Sequence, residues 1–229
     1  MNYNNINISY DLLIWLGLII TVVAQVLIKI TYSKYQRQEN KKRLTGFDVA
    51  RQILDKNGLK DILVLETTGY LTDHYDPTKK VIKLSADIYN GTTISSAAVA
   101  AHECGHAIQD KENYIPMRIR SKIVPTVNLF TKIGYLSIII GAIFDYRLMI
   151  IGVILLLSIL AFQIITLPVE FNASSRALKQ MDTMNLLSKD EQNGAKKVLS
   201  AAAFTYVASV LSTLMQLLRY VLIANSRRR

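Results

Sequence analysis

The chain has 229 residues, of which 51% are hydrophobic, and it carries a formal net charge of +10. Its basic residues lie mainly between long apolar runs and do not alternate with aromatic residues. This distribution indicates positive-inside membrane topology and argues against a nucleic-acid partner. The single cysteine, Cys104, excludes an intrachain disulfide and fits a reducing compartment.

The N-terminal part of the sequence predicts a membrane anchor over 1–32. Residues 11–32 form an apolar run long enough to cross a bilayer, which takes roughly 20 residues. No Lys or Arg precedes the run and no small-residue cleavage site follows it, so we interpret it as an uncleaved anchor rather than a signal peptide. The basic residues from Lys34 to Arg43 predict a cytoplasmic flank.

Residues 33–126 form a polar region that we interpret as a cytoplasm-facing catalytic region. Hydrophobic spacing and turn residues predict its elements in chain order. They are a helix over 47–54 that ends near Gly58, a strand over 62–65, a turn over 73–77, a strand over 81–84, and a helix over 93–109 capped by Thr93 or Ser95.

Two further apolar runs predict a transmembrane hairpin over 127–167, with Asp145-Tyr146-Arg147 as its short external loop. Pro168 is expected to end or kink the second helix of this hairpin. A polar region, 168–197, follows. In the last segment, 198–229, a moderately apolar helix over 198–223 precedes a basic tail. Its length permits a fourth crossing, whereas the tail favours a membrane-associated helix, so both alternatives stay open.

The motif His102-Glu103-Cys104-Gly105-His106 carries the predicted chemistry. On a helix, the spacing of four residues puts both imidazoles on one face, at a separation that a zinc ion bridges. Glu103 projects about 100° away from His102, which suits a general base that takes a proton from the attacking water. The alternative is a pair of ordinary surface histidines, but the chain has only 3 histidines and two stand in this pattern.

A catalytic zinc ion needs a third protein ligand and an open fourth position. Gln109 stands where the metzincin pattern has glycine, which excludes that pattern. Glu170 is the favoured ligand because two crossings of the hairpin return the chain to the side of His106. His74 is the other candidate ligand, and it also has possible roles as an oxyanion stabiliser or a simple turn residue. Ser174 is a candidate hydrogen-bond partner of a ligand.

Arg176 has two possible roles, which are to stabilise an oxyanion or to pair with an acid. Cys104 projects away from the face that His102 and His106 share, so we expect it to fill space between helices.

Several blocks of the sequence resemble the YugP-type neutral zinc metallopeptidases of bacterial membranes. The blocks are Asp73-His74-Tyr75-Asp76-Pro77, Lys83-Leu84-Ser85, the stretch from Ala97 to Gln109, and Pro168-Val169-Glu170-Phe171-Asn172-Ala173-Ser174. The resemblance implies a zinc-dependent membrane peptidase with His102 and His106 as ligands and Glu103 as base. The layout is also similar to the HtpX and CAAX-type membrane peptidases, which have aspartate where this chain has Ser174.

The predicted fold is therefore a mainly α membrane protein, with transmembrane helices and a zincin-like α+β catalytic domain with a small sheet. The predicted function is a Zn²⁺-dependent endopeptidase of the bacterial plasma membrane, acting on membrane or misfolded polypeptides. Two alternatives remain: a non-catalytic zinc-binding membrane scaffold and an intramembrane site-2-type protease. An amidase or other hydrolase would use the same residues. The sequence does not give the oligomeric state.

Overall fold

The computed structural model describes residues 3–227, with the side chains of 11–226. The fold is mainly helical with one small sheet, as the sequence predicts. Within these residues it contains seven helices and three strands: α1 Tyr3–Gln36, α2 Gly46–Lys56, β1 Leu63–Thr67, β2 His74–Asp76, β3 Val81–Ser85, α3 Ala86–Tyr89, α4 Ile94–Lys111, α5 Ile115–Ile143, α6 Tyr146–Thr183 and α7 Lys189–Arg227. The last two arginines of the predicted basic tail lie outside the described residues.

Four helices are long and apolar enough to cross a membrane, so the chain is a multi-pass membrane protein. Their candidate spans are Asp11–Gln36, Ile115–Ile143, Tyr146–Thr183 and Lys189–Ser226. The last of them favours the fourth crossing that the sequence left open.

Two helix boundaries differ from the prediction. Helix α5 begins at Ile115, well before residue 127, because its basic first turns are helical although they are not apolar. Of the two outcomes predicted for Pro168, an end of the helix is wrong, because α6 continues through the proline to Thr183. A proline removes one backbone hydrogen bond. The fully buried Val169 and Ala173 just beyond it provide packing that outweighs this loss.

The chain divides into two compact units. The first, which we call the apolar unit, comprises 1–25, 119–167 and 204–229. Its helices α5 and α6 approach closely at glycine: a Cβ on Gly152 would lie 2.6 Å from the Gly134 carbonyl oxygen. Small residues of this kind allow close helix contacts in lipid, where there is little hydrophobic gain from association.

The second unit, which we call the site unit, comprises 26–118 and 168–203. Its core is formed by fully buried aliphatic side chains from α2, β3 and α3, including Ile53, Leu54, Ile82, Leu84 and Ile88. Helix α2 begins with a capping box, in which Thr45 and Asp48 each accept a hydrogen bond from the other's backbone N–H. This start fixes α2, and hence the core, against α4.

The sheet of the site unit has the order β1-β3-β2, with β1 parallel and β2 antiparallel to β3. The predicted turn over 73–77 was wrong, because residues 74–76 form β2 and the turn follows it. Tyr75 explains the difference, since it is half-buried and its hydroxyl donates to Asp110 of α4 at 2.9 Å. Burial and this hydrogen bond raise the pKa of Tyr75, so the hydroxyl keeps its proton.

Helix α4 lies in the middle of the site unit and is buried over most of its length. The side chain of Thr93 caps its start by accepting from the Ser96 N–H at 3.1 Å, which decides between the two predicted caps. Ser95 instead lies inside the core and donates to the Tyr32 carbonyl at 3.1 Å. The prediction of a helix here is confirmed, and it carries the motif described next.

Candidate metal centre

Helix α4 presents the two motif histidines on one face, as the spacing of four residues requires. The ring centroids of His102 and His106 are 4.7 Å apart, and the rings meet edge to face. His106 is buried, whereas His102 is partly exposed. The pair therefore opens to the outside on the His102 side.

Gly105 brings α6 against this face of α4. A Cβ on Gly105 would overlap the Ala173 carbonyl, so only glycine permits the observed approach. Glu170 precedes Ala173 by three residues, almost one helical turn. The contact at Gly105 therefore places the Glu170 carboxylate beside the two imidazoles.

Three ligand atoms converge at this point. Oε2 of Glu170 lies 3.3 Å from Nε2 of His102 and 3.7 Å from Nε2 of His106. Within the described part of the chain, these three residues are the group that could hold a metal ion, with ligand atoms within 4.8 Å of one another. The structure thus brings together the three residues that the sequence predicted as ligands.

The separations fit zinc. Two ligand atoms at about 2.05 Å from a tetrahedral ion are about 3.3 Å apart. The distances from Glu170 to the two histidines are close to this value, and two imidazoles with one carboxylate are a known catalytic zinc set. The donor set and its spacing therefore suit Zn²⁺ with one coordination position left open.

A buried amide orients His106. Nε2 of Gln109 donates to the Val169 carbonyl at 2.8 Å and to Oδ1 of Asn172 at 3.0 Å. Because both amide hydrogens are used, Oε1 of Gln109 faces Nδ1 of His106, at 3.0 Å, and accepts its hydrogen. This tautomer leaves the lone pair of His106 on Nε2, toward Glu170.

His102 has a similar but weaker partner on α6. The Ser174 hydroxyl lies 3.2 Å from Nδ1 of His102. Ser174 was predicted from sequence to hydrogen-bond a ligand, and the structure places it within reach of one. His102 therefore contacts α6 directly through Nδ1, and His106 contacts α6 through Gln109. The Nε2 atoms of both histidines lie near Glu170.

The electrostatic environment of the site favours a cation. Burial lowers the pKa of His106, but the hydrogen bond with Glu170 and the negative charges of Glu103 and Glu170 raise it more, so the net direction is upward. A proton on His106 and a divalent cation in the site respond to the same negative potential.

Glu103 of α4 is buried, with 7% of its surface exposed, and its negative charge acts on His106. It forms no hydrogen bond or ion pair with any described residue. Its carboxylate is thus not committed to a structural contact.

The other predicted site residues lie outside the cluster. His74 is exposed on β2, where its Nδ1 lies 2.7 Å from the Thr72 carbonyl oxygen. Arg176 pairs with Glu112 at 2.7 Å and donates to Asn172 at 2.6 Å. The Arg176 hydrogen bond lowers the pKa of the Glu112 carboxyl.

Cys104 points to the opposite side of α4, where its thiol contacts the Ala50 carbonyl at 3.6 Å. Cys104 is fully buried, so it is a packed core group, and this burial raises the pKa of its thiol.

Sequence reasoning treated Gln109 only as a mismatch to another zinc pattern, and it missed the roles of Gly105 and Asn172. A signal for Gln109 existed, since it follows His106 by three residues and so shares its helix face. Gly105 and Asn172 gave no such signal, because their roles depend on the approach of α6.

Comparisons with known proteins place this geometry in context. Residues 10–225 match the family described as "putative neutral zinc metallopeptidase". The "Putative membrane protease YugP" of Bacillus subtilis (strain 168) is 46% identical over 201 residues, which cover 87% of this chain and 89% of that protein. No solved structure shows a significant match.

Proposed function

The chain belongs to the family of neutral zinc metallopeptidases just described, and on that premise we propose that it is a membrane-bound, zinc-dependent endopeptidase. The observation that carries the proposal is the convergence of His102, His106 and Glu170 beside an unpaired, buried Glu103. We assign the first three as the zinc ligands and Glu103 as the general base.

When bound, zinc polarises the scissile carbonyl and lowers the pKa of a water molecule, which can then lose a proton and attack the carbonyl near neutral pH. Glu103 takes the proton of the attacking water and passes it to the leaving amine. Gln109 holds His106 with Nε2 toward the site, and Ser174 does the same for His102. Roles for His74 and Arg176 in oxyanion stabilisation stay predictions, although Arg176 is already paired with Glu112.

The substrate we propose is a polypeptide, either a membrane protein or a misfolded chain. The relative from Bacillus subtilis is named as a membrane protease, which supports a polypeptide substrate. We further propose that the protein lies in the plasma membrane with the site facing the cytoplasm. The basic flank from Lys34 to Arg43 supports that orientation.

The two alternative functions are less well supported. A structural zinc site is closed by four protein ligands, whereas the described residues provide three. A site-2-type protease carries its motif within a membrane helix. Among the described residues, α4 is not one of the four helices that are apolar enough to span a membrane.

The test measures zinc content and casein cleavage separately on the full chain purified in detergent. We expect one zinc ion per chain and cleavage for the wild type. Glu103→Gln should keep its zinc and lose cleavage, because it removes the base but no ligand. Glu170→Ala should lose both. Glu39→Gln, in an exposed ion pair with Arg43, is the matched control and should change neither.

Two results would contradict the proposal. Normal cleavage by Glu103→Gln would exclude Glu103 as the general base, and with it the proposed peptidase mechanism. Full zinc content in Glu170→Ala would show that the third ligand lies elsewhere, with His74 as the next residue to substitute.

A further inference from the structure

The site unit contains a basic cleft away from the metal centre. It is a cavity of about 760 Å³ between the last turns of α1 and the first turns of α7. Three lysines line it beside apolar and small polar groups, and the lining includes Ile30, Lys34, Tyr35, Lys196, Lys197 and Ser200. Among the described residues, no Asp or Glu contributes to this lining.

No described acidic residue forms an ion pair with the three lysines of the cleft. None of the ion pairs described involves Lys34, Lys196 or Lys197, and all three side chains are exposed. Lys34 instead lies over the ring of Tyr35, 5.5 Å from its centroid. Three like charges around one concave surface raise its positive potential and favour an anionic ligand.

The charge continues beyond the cleft. A second cavity of about 650 Å³ shares Asn193 and Lys196 with the first, and it adds Lys179 and Lys189. Asp182 is the one acidic residue that lines it in the described part of the chain. The two cavities together form a trough with five lysines.

The floor of the cleft is built by close packing. Gly194 of α7 lies so near to Tyr35 of α1 that a Cβ on the glycine would be 2.7 Å from Cε1 of the tyrosine. Tyr35 is buried at this contact, with 7% of its surface exposed. Tyr35, which lines the cleft, is therefore held in the packing between these two segments.

The apolar side of the cleft distinguishes a lipid from a free anion. Ile30, at one end, is 61% exposed and belongs to the apolar run 11–32. Ser200, also in the lining, belongs to the final apolar segment 198–223. The lysines thus stand where two membrane-crossing segments change from apolar to polar, which is the level of lipid headgroups.

We propose that this cleft binds the phosphate of an anionic phospholipid, with Lys34, Lys196 and Lys197 as its cationic partners and Ile30 beside the acyl chains. A free phosphate ion offers the same charge but no apolar part, so it should bind much more weakly. The proposal does not depend on zinc or on peptidase activity.

The test measures binding of a fluorescently labelled phosphatidylglycerol to the full chain in neutral detergent. Lys196→Gln/Lys197→Gln should weaken binding at least tenfold, since each lysine near an anionic headgroup contributes about fivefold. Lys196→Arg/Lys197→Arg keeps the charge and should restore binding to within about twofold. Lys56→Gln/Lys60→Gln, on exposed lysines of the same unit, removes equal charge elsewhere and should leave binding unchanged.

Competition identifies the ligand. Unlabelled phosphatidylglycerol should displace the probe, whereas phosphatidylcholine and inorganic phosphate should not. Equal losses of binding in Lys196→Gln/Lys197→Gln and Lys56→Gln/Lys60→Gln would show a general attraction of the anionic lipid to positive charge. That result would overturn the proposed site. Full displacement by inorganic phosphate would show a phosphate site and overturn the lipid. Displacement by phosphatidylcholine would show that the lysines do not select the headgroup.

Discussion

The apolar unit and the site unit use the same short-range contacts for different purposes. In both, a glycine lets one helix approach the backbone of another: Gly152 against Gly134 in the first, and Gly105 against Ala173 in the second. In the apolar unit, the contact joins α5 and α6, whose candidate spans are only 17% and 22% buried, so the hydrophobic faces are left to lipid. In the site unit, the contact aligns the proposed ligands within a buried core. Glycine at a helix contact is therefore a packing device in one unit and a condition for the metal centre in the other.

The largest expected effect comes from substituting the glycines of these two helix contacts one at a time. Gly105→Ala should abolish zinc binding, because the added methyl pushes α6 away and carries Glu170 with it. Gly152→Ala has the same steric conflict and should cost about 1–3 kcal/mol of stability, but it should keep its zinc. Zinc content and thermal unfolding of each variant provide the check. If both variants kept zinc equally, the role of Gly105 in the site would be wrong.

A second comparison uses two apolar side chains with equal exposure. Leu63 of β1 is 60% exposed and Ile154 of α6 is 61% exposed. Ile154→Lys should impair membrane insertion by about 3 kcal/mol, because its surroundings are hydrocarbon. Leu63→Lys should change stability by no more than about 0.5 kcal/mol, since its surroundings are water.

The measurement for this pair is the fraction of each variant that is integrated in membranes, together with unfolding of the purified protein. Similar behaviour of the two lysine variants would contradict the assignment of different solvents to the two units.

The third prediction tests how α6 orients the ligands. Gln109→Leu should weaken zinc binding about 10- to 100-fold, because His106 loses its hydrogen-bond partner. Ser174→Ala should have a smaller effect on His102, since its contact is longer and less enclosed. Zinc affinity is measured by competition with a chelator.

Thermal unfolding in excess chelator provides the control for this third prediction. A loss of affinity that merely follows a loss of metal-free stability would show that Gln109 supports the fold rather than the ligand.

The smallest expected effect concerns Cys104. Because burial raises the pKa of its thiol, alkylation by iodoacetamide at pH 8 should be very slow in the folded protein and fast after denaturation. Mass spectrometry of the intact chain follows the modification. Rapid modification of the folded protein would show that the contact between α2 and α4 opens readily.

Local patterns in the sequence predicted much of this structure. The spacing of His102 and His106 predicted a helix with both imidazoles on one face, and the even number of crossings between His106 and Glu170 predicted that Glu170 returns to the side of the histidines. Both inferences need only helix geometry and chain topology.

Contacts between distant segments could not be predicted in this way. The sequence pattern predicts a turn over 73–77, whereas the observed strand over 74–76 depends on pairing with β3 and on the contact of Tyr75 with α4. The continuation of α6 through Pro168 depends on packing beyond it. The role of Gly105 depends on a carbonyl of another helix.

The chain order of the three ligands has a consequence for biosynthesis. His102 and His106 are made early, but Glu170 emerges only after α5 and most of the apolar part of α6 have been synthesised. A nascent chain that stalls before that point has two imidazoles and no third ligand. The proposed metal set is therefore complete only in a molecule whose central hairpin has already been translated, so a truncated product of the ribosome lacks the proposed third ligand.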